Sequence, residues 1–207
     1  MFVPPLASIV LAAGESRRMG EPKLFLPILG SSMLRRAVAA VTGLGITVVV
    51  TGAYDKEIRE HLADVDHLNF AYNPEWRTGM ASSIAAGVKA VTAQQPVGYL
   101  IMVADQPEID LNSLEAHLDA FMRYPHSIVA TWYPERLGVP AIFPARFTDD
   151  LLSGEGSRGA RQLIAREGDA VKMIRFNEPP EDIDTPEDYQ RITSRSGQSS
   201  ATNDDPS

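Results

Sequence analysis

The chain has 207 residues, 44% of them hydrophobic, enough to bury one sizeable core and to favour a single domain over two. It contains no cysteine, so disulfides, thiolate metal sites and cysteine nucleophiles are excluded, and any metal must be held by oxygen or imidazole ligands. The formal charge of −8 argues against nucleic acid as a partner, because backbone binding needs clustered Lys and Arg, but it leaves room for a small anionic ligand. The apolar run 2–14 has no basic segment before it, and no apolar run approaches the roughly 20 residues of a bilayer span. A cytoplasmic protein without membrane contact is therefore expected.

In chain order, the short apolar runs 6–12, 46–51, 99–104 and 127–132 read as buried strands, rich in Val, Ile and Leu without strict alternation. Amphipathic stretches of helical length lie among them at 33–42, 56–63, 80–93 and 111–123. In the third, Met80, Ile84, Val88 and Val91 recur at helical spacing. Strands alternating with helices imply right-handed βαβ units and a mainly parallel sheet, an α/β fold. The segment 137–144 carries Pro140 and Pro144, so an edge or loop-flanked strand is expected there. Helices follow at 145–152 and 159–166, then a strand at 171–176. In Thr185-Pro186-Glu187-Asp188, Thr185 is a natural N-cap, Pro186 suits the first helical position and Asp188 stands where a capping-box acid reaches back. Residues 194–207 are polar and read as a disordered tail, leaving 1–193 as the folded domain.

The run Leu11-Ala12-Ala13-Gly14-Glu15-Ser16-Arg17-Arg18-Met19-Gly20-Glu21-Pro22-Lys23 leaves the carboxyl end of the first strand, where open α/β sheets bind ligands. Its glycines let backbone approach a phosphate chain, and Arg17, Arg18 and Lys23 bring three cations to one short segment. With Arg35 and Arg36 against Glu15 and Glu21, the stretch 14–36 is +3 in a chain that is −8 overall. It is not a P-loop: Gly14 and Gly20 enclose five residues and Lys23 comes three positions later. It is not a dinucleotide fingerprint either, since Gly14 has no glycine two residues on. An anion site or a solvated basic loop remain the two readings of the residues alone.

The run 99–104 ends in Asp105-Gln106-Pro107. A carboxylate at the end of a buried strand shares the sheet edge with the Gly14 loop and suits magnesium, which takes one or two carboxylates plus phosphates and water; equally, Asp105 suits capping the turn before Pro107. Asp184, one step before the helix cap, has no structural duty, and neither has Asp182. Asn73-Pro74-Glu75-Trp76-Arg77-Thr78-Gly79-Met80-Ala81-Ser82-Ser83 reads as a loop that delivers backbone and hydroxyl groups to a ligand, or as ordinary helix initiation. Trp76 suits packing and contact equally.

Leu11-Ala12-Ala13-Gly14-x-Ser16-x-Arg18-Met19-Gly20-x-Pro22-Lys23-Leu24 resembles the signature loop of the NTP transferase family that includes the molybdenum cofactor guanylyl- and cytidylyltransferases. The resemblance implies a Rossmann-like three-layer αβα sheet of the nucleotide-diphospho-sugar transferase (GT-A-like) type. It implies that backbone from Leu11, Ala12, Ala13 and Gly14 contacts a nucleotide, with Asn73, Gly79 and Ser82 on the base and ribose side. Catalytic roles fall to Arg18, Lys23 and Asp105, the two cations neutralising the triphosphate, and Asp105 and Asp184 hold Mg2+. The alanine pair Ala12-Ala13, with Asp105-Gln106-Pro107 and Gly79-Met80-x-Ser82-Ser83, resembles the cytidylyl branch, which implies CTP as donor, a molybdopterin-type phosphate as acceptor and transient contact with a molybdoenzyme. Gly156-Ser157-Arg158-Gly159-Ala160-Arg161 departs from the family pattern, since Ser157 replaces an acid, and Arg158 and Arg161 suit either an anionic acceptor or a helix surface. A sugar- or polyol-phosphate nucleotidyltransferase and a non-catalytic nucleotide- or cofactor-binding module are the alternatives.

Overall fold

In the computed structural model, which describes residues 5–153 and 159–199, the first apolar run forms β1 (Leu6–Leu11), buried at every position. A 3-10 turn at Lys23–Phe25 and a small hairpin, β2 (Pro27–Ile28) and β3 (Ser31–Ser32), lead into α1 (Met33–Val41). Then come β4 (Gly45–Thr51), α2 (Asp55–His61), β5 (Leu68–Tyr72), α3 (Met80–Val91), β6 (Gly98–Val103), α4 (Leu111–Arg123), β7 (Val129–Tyr133), β8 (Arg136–Pro144), α5 (Thr148–Ser153), α6 (Gly159–Glu167), β9 (Lys172–Ile174) and α7 (Pro186–Ser199).

Seven strands make one sheet in the order β5-β4-β1-β6-β8-β7-β9. β5, β4, β1 and β6 run parallel, while β8 lies antiparallel to both of its neighbours. Successive residues of β1 feed opposite faces, as the pleat requires. Ala7, Ile9 and Leu11 join a core with Ile84 and Val88 of α3 and Leu163 of α6; Leu6 and Val10 join another with Leu34 and Val38 of α1 and Leu114 of α4. Helices thus cover both faces, giving the three-layer Rossmann-like αβα architecture.

Three expectations need correction. The segment with Pro140 and Pro144 is not at an edge: β8 is interior, between β6 and β7. Pro140 is tolerated because the β7–β8 register shifts there, from Ala130 opposite Ala141 to Thr131 opposite Gly138, so that it faces no ladder partner, while Pro144 is the last residue of the strand, opposite Gly98. Thr131 Oγ1 instead donates to the Pro140 carbonyl at 2.8 Å. Second, β5 was not expected; it is a half-exposed edge strand whose Leu68-Asn69-Phe70-Ala71-Tyr72 offers no continuous apolar run. Third, the helix capped by Thr185 does not end at 193 but continues to Ser199, where a disordered tail was expected from 194. Glu181 accepts from both Arg191 (2.6 Å) and Arg195 (2.9 Å), tying the helix down by charge where its sequence lacks apolar residues. The remainder of that tail, 200–207, and the positions Gly156, Ser157 and Arg158 lie outside the described residues. Among the described residues no helix is long and apolar enough to cross a membrane.

Candidate active site

Because Leu11 of β1 pairs with Val103 of β6, the Gly14 loop and Asp105 leave the sheet side by side. Leu11, Ala12 and Ala13 are buried, and their backbone is fixed: Ala12 N–H donates to the Val50 carbonyl (2.9 Å), while Ala104 N–H and Ala53 N–H donate to the carbonyls of Leu11 and Ala13 (both 3.1 Å). Beyond them Gly14 faces open space, with nothing within 4 Å of where a Cβ would stand. Gly20 has φ +77°, a conformation L side chains adopt rarely, which explains that glycine by backbone shape. Between the glycines, Met19 turns inward and packs with Met33, Ile183 and Ile192, so the charged loop hangs from an apolar anchor on α7 and the segment before it.

Lys23 is the centre of the arrangement. Its Nζ donates to Asp105 Oδ2 (2.8 Å), Asp184 Oδ1 (2.8 Å) and the Ile183 carbonyl (2.7 Å), which uses all three ammonium protons. Burial works to lower the lysine pKa, but the Asp105 charge and the hydrogen bonds to Asp105 and Asp184 outweigh it and the pKa is raised, so the group is an ammonium. Arg18, mostly exposed, donates to the other Asp184 oxygen at 2.7 Å. Burial pushes the Asp184 carboxyl up, yet Lys23 and Arg18 together hold it below the usual carboxylate range. Asp105 Oδ1 is buried and has no hydrogen-bond partner among the described residues. The alternative of Asp105 as a turn cap is not what forms: Asp110 caps α4, accepting from Ser113 N–H at 2.8 Å in a capping box.

The cleft has two lobes. One, about 330 Å³, is lined by Leu11, Ala12, Gly14, Ser16 and Arg17. The other, about 320 Å³, is lined by Ile84, Val103, Gln106, Tyr133 and Arg136 among others, and Arg18, Asp105 and Asp184 border both. In the second lobe, buried Gln106 donates to Tyr133 Oη (2.9 Å) and Asp182 Oδ1 (2.8 Å), and Tyr133 donates to the Val139 carbonyl (2.6 Å). Burial pushes the Tyr133 phenol up to about 12. Burial and then the nearby Asp105 charge raise the Asp182 carboxyl. Tyr133 and Arg136 had no sequence signal, because only the antiparallel return of β8 brings them to the edge where Asp105 lies.

Asn73 is engaged by its own turn. Its side chain is buried and does not line either lobe; Nδ2 donates to Ser82 Oγ (2.9 Å) and Ser83 Oγ (3.0 Å), and Oδ1 accepts from Glu75 N–H (2.9 Å). Asn73 and Ser82 therefore brace the turn into α3. Gly79, at φ 121°, makes that turn, and it is Met80 and Ala81 that reach the second lobe. Trp76 packs over Gly52, where an added Cβ would come within 2.8 Å of its ring, and carries Arg77 at 4.1 Å on one face.

A cation-bearing glycine loop facing a strand-end carboxylate, over the carboxyl edge of a mainly parallel sheet, defines a nucleotide-handling transferase. A family model described as the MobA-like NTP transferase domain matches residues 8–171, and the chain belongs to that family: it is a nucleotidyltransferase. Purine catabolism protein PucB of Bacillus subtilis is 28% identical, over 93% of this chain and 98% of its own length. Nicotine blue oxidoreductase of Paenarthrobacter nicotinovorans is 27% identical, over 92% and 97%. Molybdenum cofactor cytidylyltransferase of Escherichia coli is 31% identical over 42% of this chain and 45% of its own. Among solved structures, Rv0371c of Mycobacterium tuberculosis superposes with TM-score 0.75 at 25% identity, covering 94% of this chain and all of that one. A manganese complex of the same protein gives 0.71 at 22%, over 92% and 98%. CMP:2-keto-3-deoxy-manno-octonic acid synthetase complexed with CTP shares the fold, with TM-score 0.72 at 13% over 94% and 99%.

Proposed function

We propose that the chain transfers CMP from CTP to the terminal phosphate of a molybdopterin-type acceptor, releasing pyrophosphate. The observation that carries the proposal is Lys23, whose ammonium joins the Gly14 loop to Asp105 and Asp184 in one contact. In this reaction an acceptor phosphate oxygen bonds to the α-phosphorus as the bond to the β-phosphate bridging oxygen breaks, and pyrophosphate leaves with the electron pair. Arg18 and Lys23 turn from carboxylates to phosphoryl oxygens and neutralise charge as it builds, a role in which fixed cations lower the barrier without reorganising water. Open space at Gly14 admits the phosphate chain, and the fixed backbone from Leu11 to Ala13 forms the floor beneath it.

Asp105, with its unpartnered buried oxygen, and Asp184 fit a hard dication. Among the described residues no group of three or more His, Asp or Glu is placed to hold a metal ion, so two carboxylates with phosphates and water would complete the shell, as magnesium prefers. Mg2+ bound there supplies charge stabilisation at the phosphoryl oxygens. The manganese complex of a structural neighbour supports a dication, and the Ala12-Ala13 pair and the cytidylyltransferase relative support CTP. A cytoplasmic site of action, with the product passed to a molybdoenzyme, belongs to the same proposal.

A second reading, a different acceptor or a non-catalytic nucleotide- or cofactor-binding module, is favoured by the names of the two relatives that align end to end, neither of which mentions the molybdenum cofactor. Pyrophosphate release is measured from each NTP with magnesium, adding molybdopterin, a sugar phosphate or neither. Release with CTP and molybdopterin is expected. Release only with a sugar phosphate removes the molybdopterin acceptor, and no release in any combination replaces the enzyme with the binding module.

A further inference from the structure

The second lobe differs in chemistry from the one that suits a triphosphate. Ile84, Val103, Val139 and Ile164 give it an apolar lining. The Gln106 amide N–H groups and the Tyr133 hydroxyl are used within the wall, leaving the buried Gln106 Oε1 without a partner among the described residues, so this wall has few free partners for a ligand rich in hydroxyls, each of which loses water on entering. Also lining the lobe are Arg136, from the start of β8, and Arg161, from the first turn of α6. Both are exposed, and neither has a carboxylate partner among the described residues, whereas Arg18, Arg35, Arg146 and Arg166 each hold an acid. Two arginines without acids, on separate elements around one apolar cleft in a chain of charge −8, make a seat for an anion.

We propose that Arg136 and Arg161 form a second anion clamp, separate from Arg18 and Lys23, which selects acceptors that combine an anionic group with a flat, mainly apolar body. The assignment of this lobe to the acceptor rests on the nucleotidyltransferase function above. Arg18, Asp105 and Asp184, which border both lobes, are then where donor and acceptor meet.

Pyridoxine 5′-phosphate, a small fluorescent heteroaromatic phosphate, is titrated into the full chain, with glucose 1-phosphate as the hydroxyl-rich comparison and CTP as the control for the other lobe. Wild type is expected to bind pyridoxine 5′-phosphate at least tenfold more tightly than glucose 1-phosphate. Arg136→Ala and Arg161→Ala each weaken it about tenfold, as loss of a charge-assisted hydrogen bond does, the corresponding Lys variants recover part of the loss, and CTP affinity stays within about twofold. No binding by wild type, equal binding of the two phosphates, or unchanged affinity in the double Ala variant overturns the clamp. Failure of wild type to bind CTP overturns the nucleotidyltransferase reading instead, while the clamp is judged on the pyridoxine 5′-phosphate titration.

Discussion

The two lobes of the cleft keep their polar groups quiet in opposite ways. In the loop lobe, cations and carboxylates from distant parts of the chain hold each other in ion pairs, Lys23 with Asp105 and Asp184, Arg18 with Asp184. In the other, an amide links a phenol and a carboxyl beside an apolar lining, and Arg136 and Arg161 stand apart from the acids. Ion pairs can exchange one partner for another of like charge, so the first lobe is built for a ligand that brings phosphates. A mainly apolar lining whose amide N–H groups and phenol are already bonded to one another and to Asp182 and the Val139 carbonyl has little to exchange, so the second selects by shape and by the charges it has left over.

The sharpest way to break this comparison is Asp105→Asn, which removes a charge at the meeting point of the lobes. Turnover should fall by about a thousandfold or more, as when a preorganised charge at the reacting phosphate is lost. Thermal melting should move by only a few degrees, and full activity in this variant would sink the assignment of Asp105. Lys23→Met tests the ion pairs themselves. It leaves two carboxylates facing each other, and a loss of about 3 kcal/mol in urea unfolding, together with about a hundredfold in kcat/KM for the NTP, is expected. A stable, active variant would show that the loop lobe does not depend on its ammonium.

The next test lies behind the second lobe. His117 on α4 is fully buried, and its Nε2 lies 2.9 Å from Thr131 Oγ1; since that hydroxyl donates to the Pro140 carbonyl, the ring nitrogen is the donor. Burial lowers its pKa from 6.5 to about 4. The unfolded chain therefore binds the extra proton first as pH falls, so the stability contributed by neutral His117 is complete above about pH 6.5 and is lost on the way down to about pH 4. The loss amounts to about 3 kcal/mol. Urea midpoints at pH 7, 5.5 and 4 should show this slope, and His117→Gln should flatten it. Asn73→Ala is expected to cost about 2 kcal/mol, because Ser82, Ser83 and the Glu75 N–H lose their shared partner, with NTP binding weakened less than tenfold. Thr185→Ala, removing the cap of α7, should cost about 1 kcal/mol in the same assay.

What was legible in the sequence follows the same division. The parallel half of the sheet announces itself because buried parallel strands are continuous apolar runs, and the loop after β1 carries its own spacing of Gly14, Arg18, Gly20 and Lys23. That Lys23 would close on Asp105 follows from the sheet edge they share, and Asp184 was singled out as an acid without structural duty. The antiparallel half was opaque. Nothing local in residues 137–144 says that a proline-bearing strand sits in the middle of a sheet, since the bulge that admits Pro140 depends on β7. Tyr133 and Arg136 were invisible for that reason. Asn73 was legible only in its place in the chain, since composition does not say whether an amide faces a ligand or its own turn, where it bonds Ser82, Ser83 and the Glu75 N–H.

Met19 packs against Ile183 and Ile192, so the loop is held by residues made long after it. During synthesis the ribosome will have completed β1 and its loop long before Asp184 and α7 emerge. Until then Lys23 lacks two of its three partners and Met19 lacks the Ile183 and Ile192 side of its anchor. A growing chain thus carries the recognisable motif without a working site, and the nucleotide pocket becomes a property of the finished polypeptide.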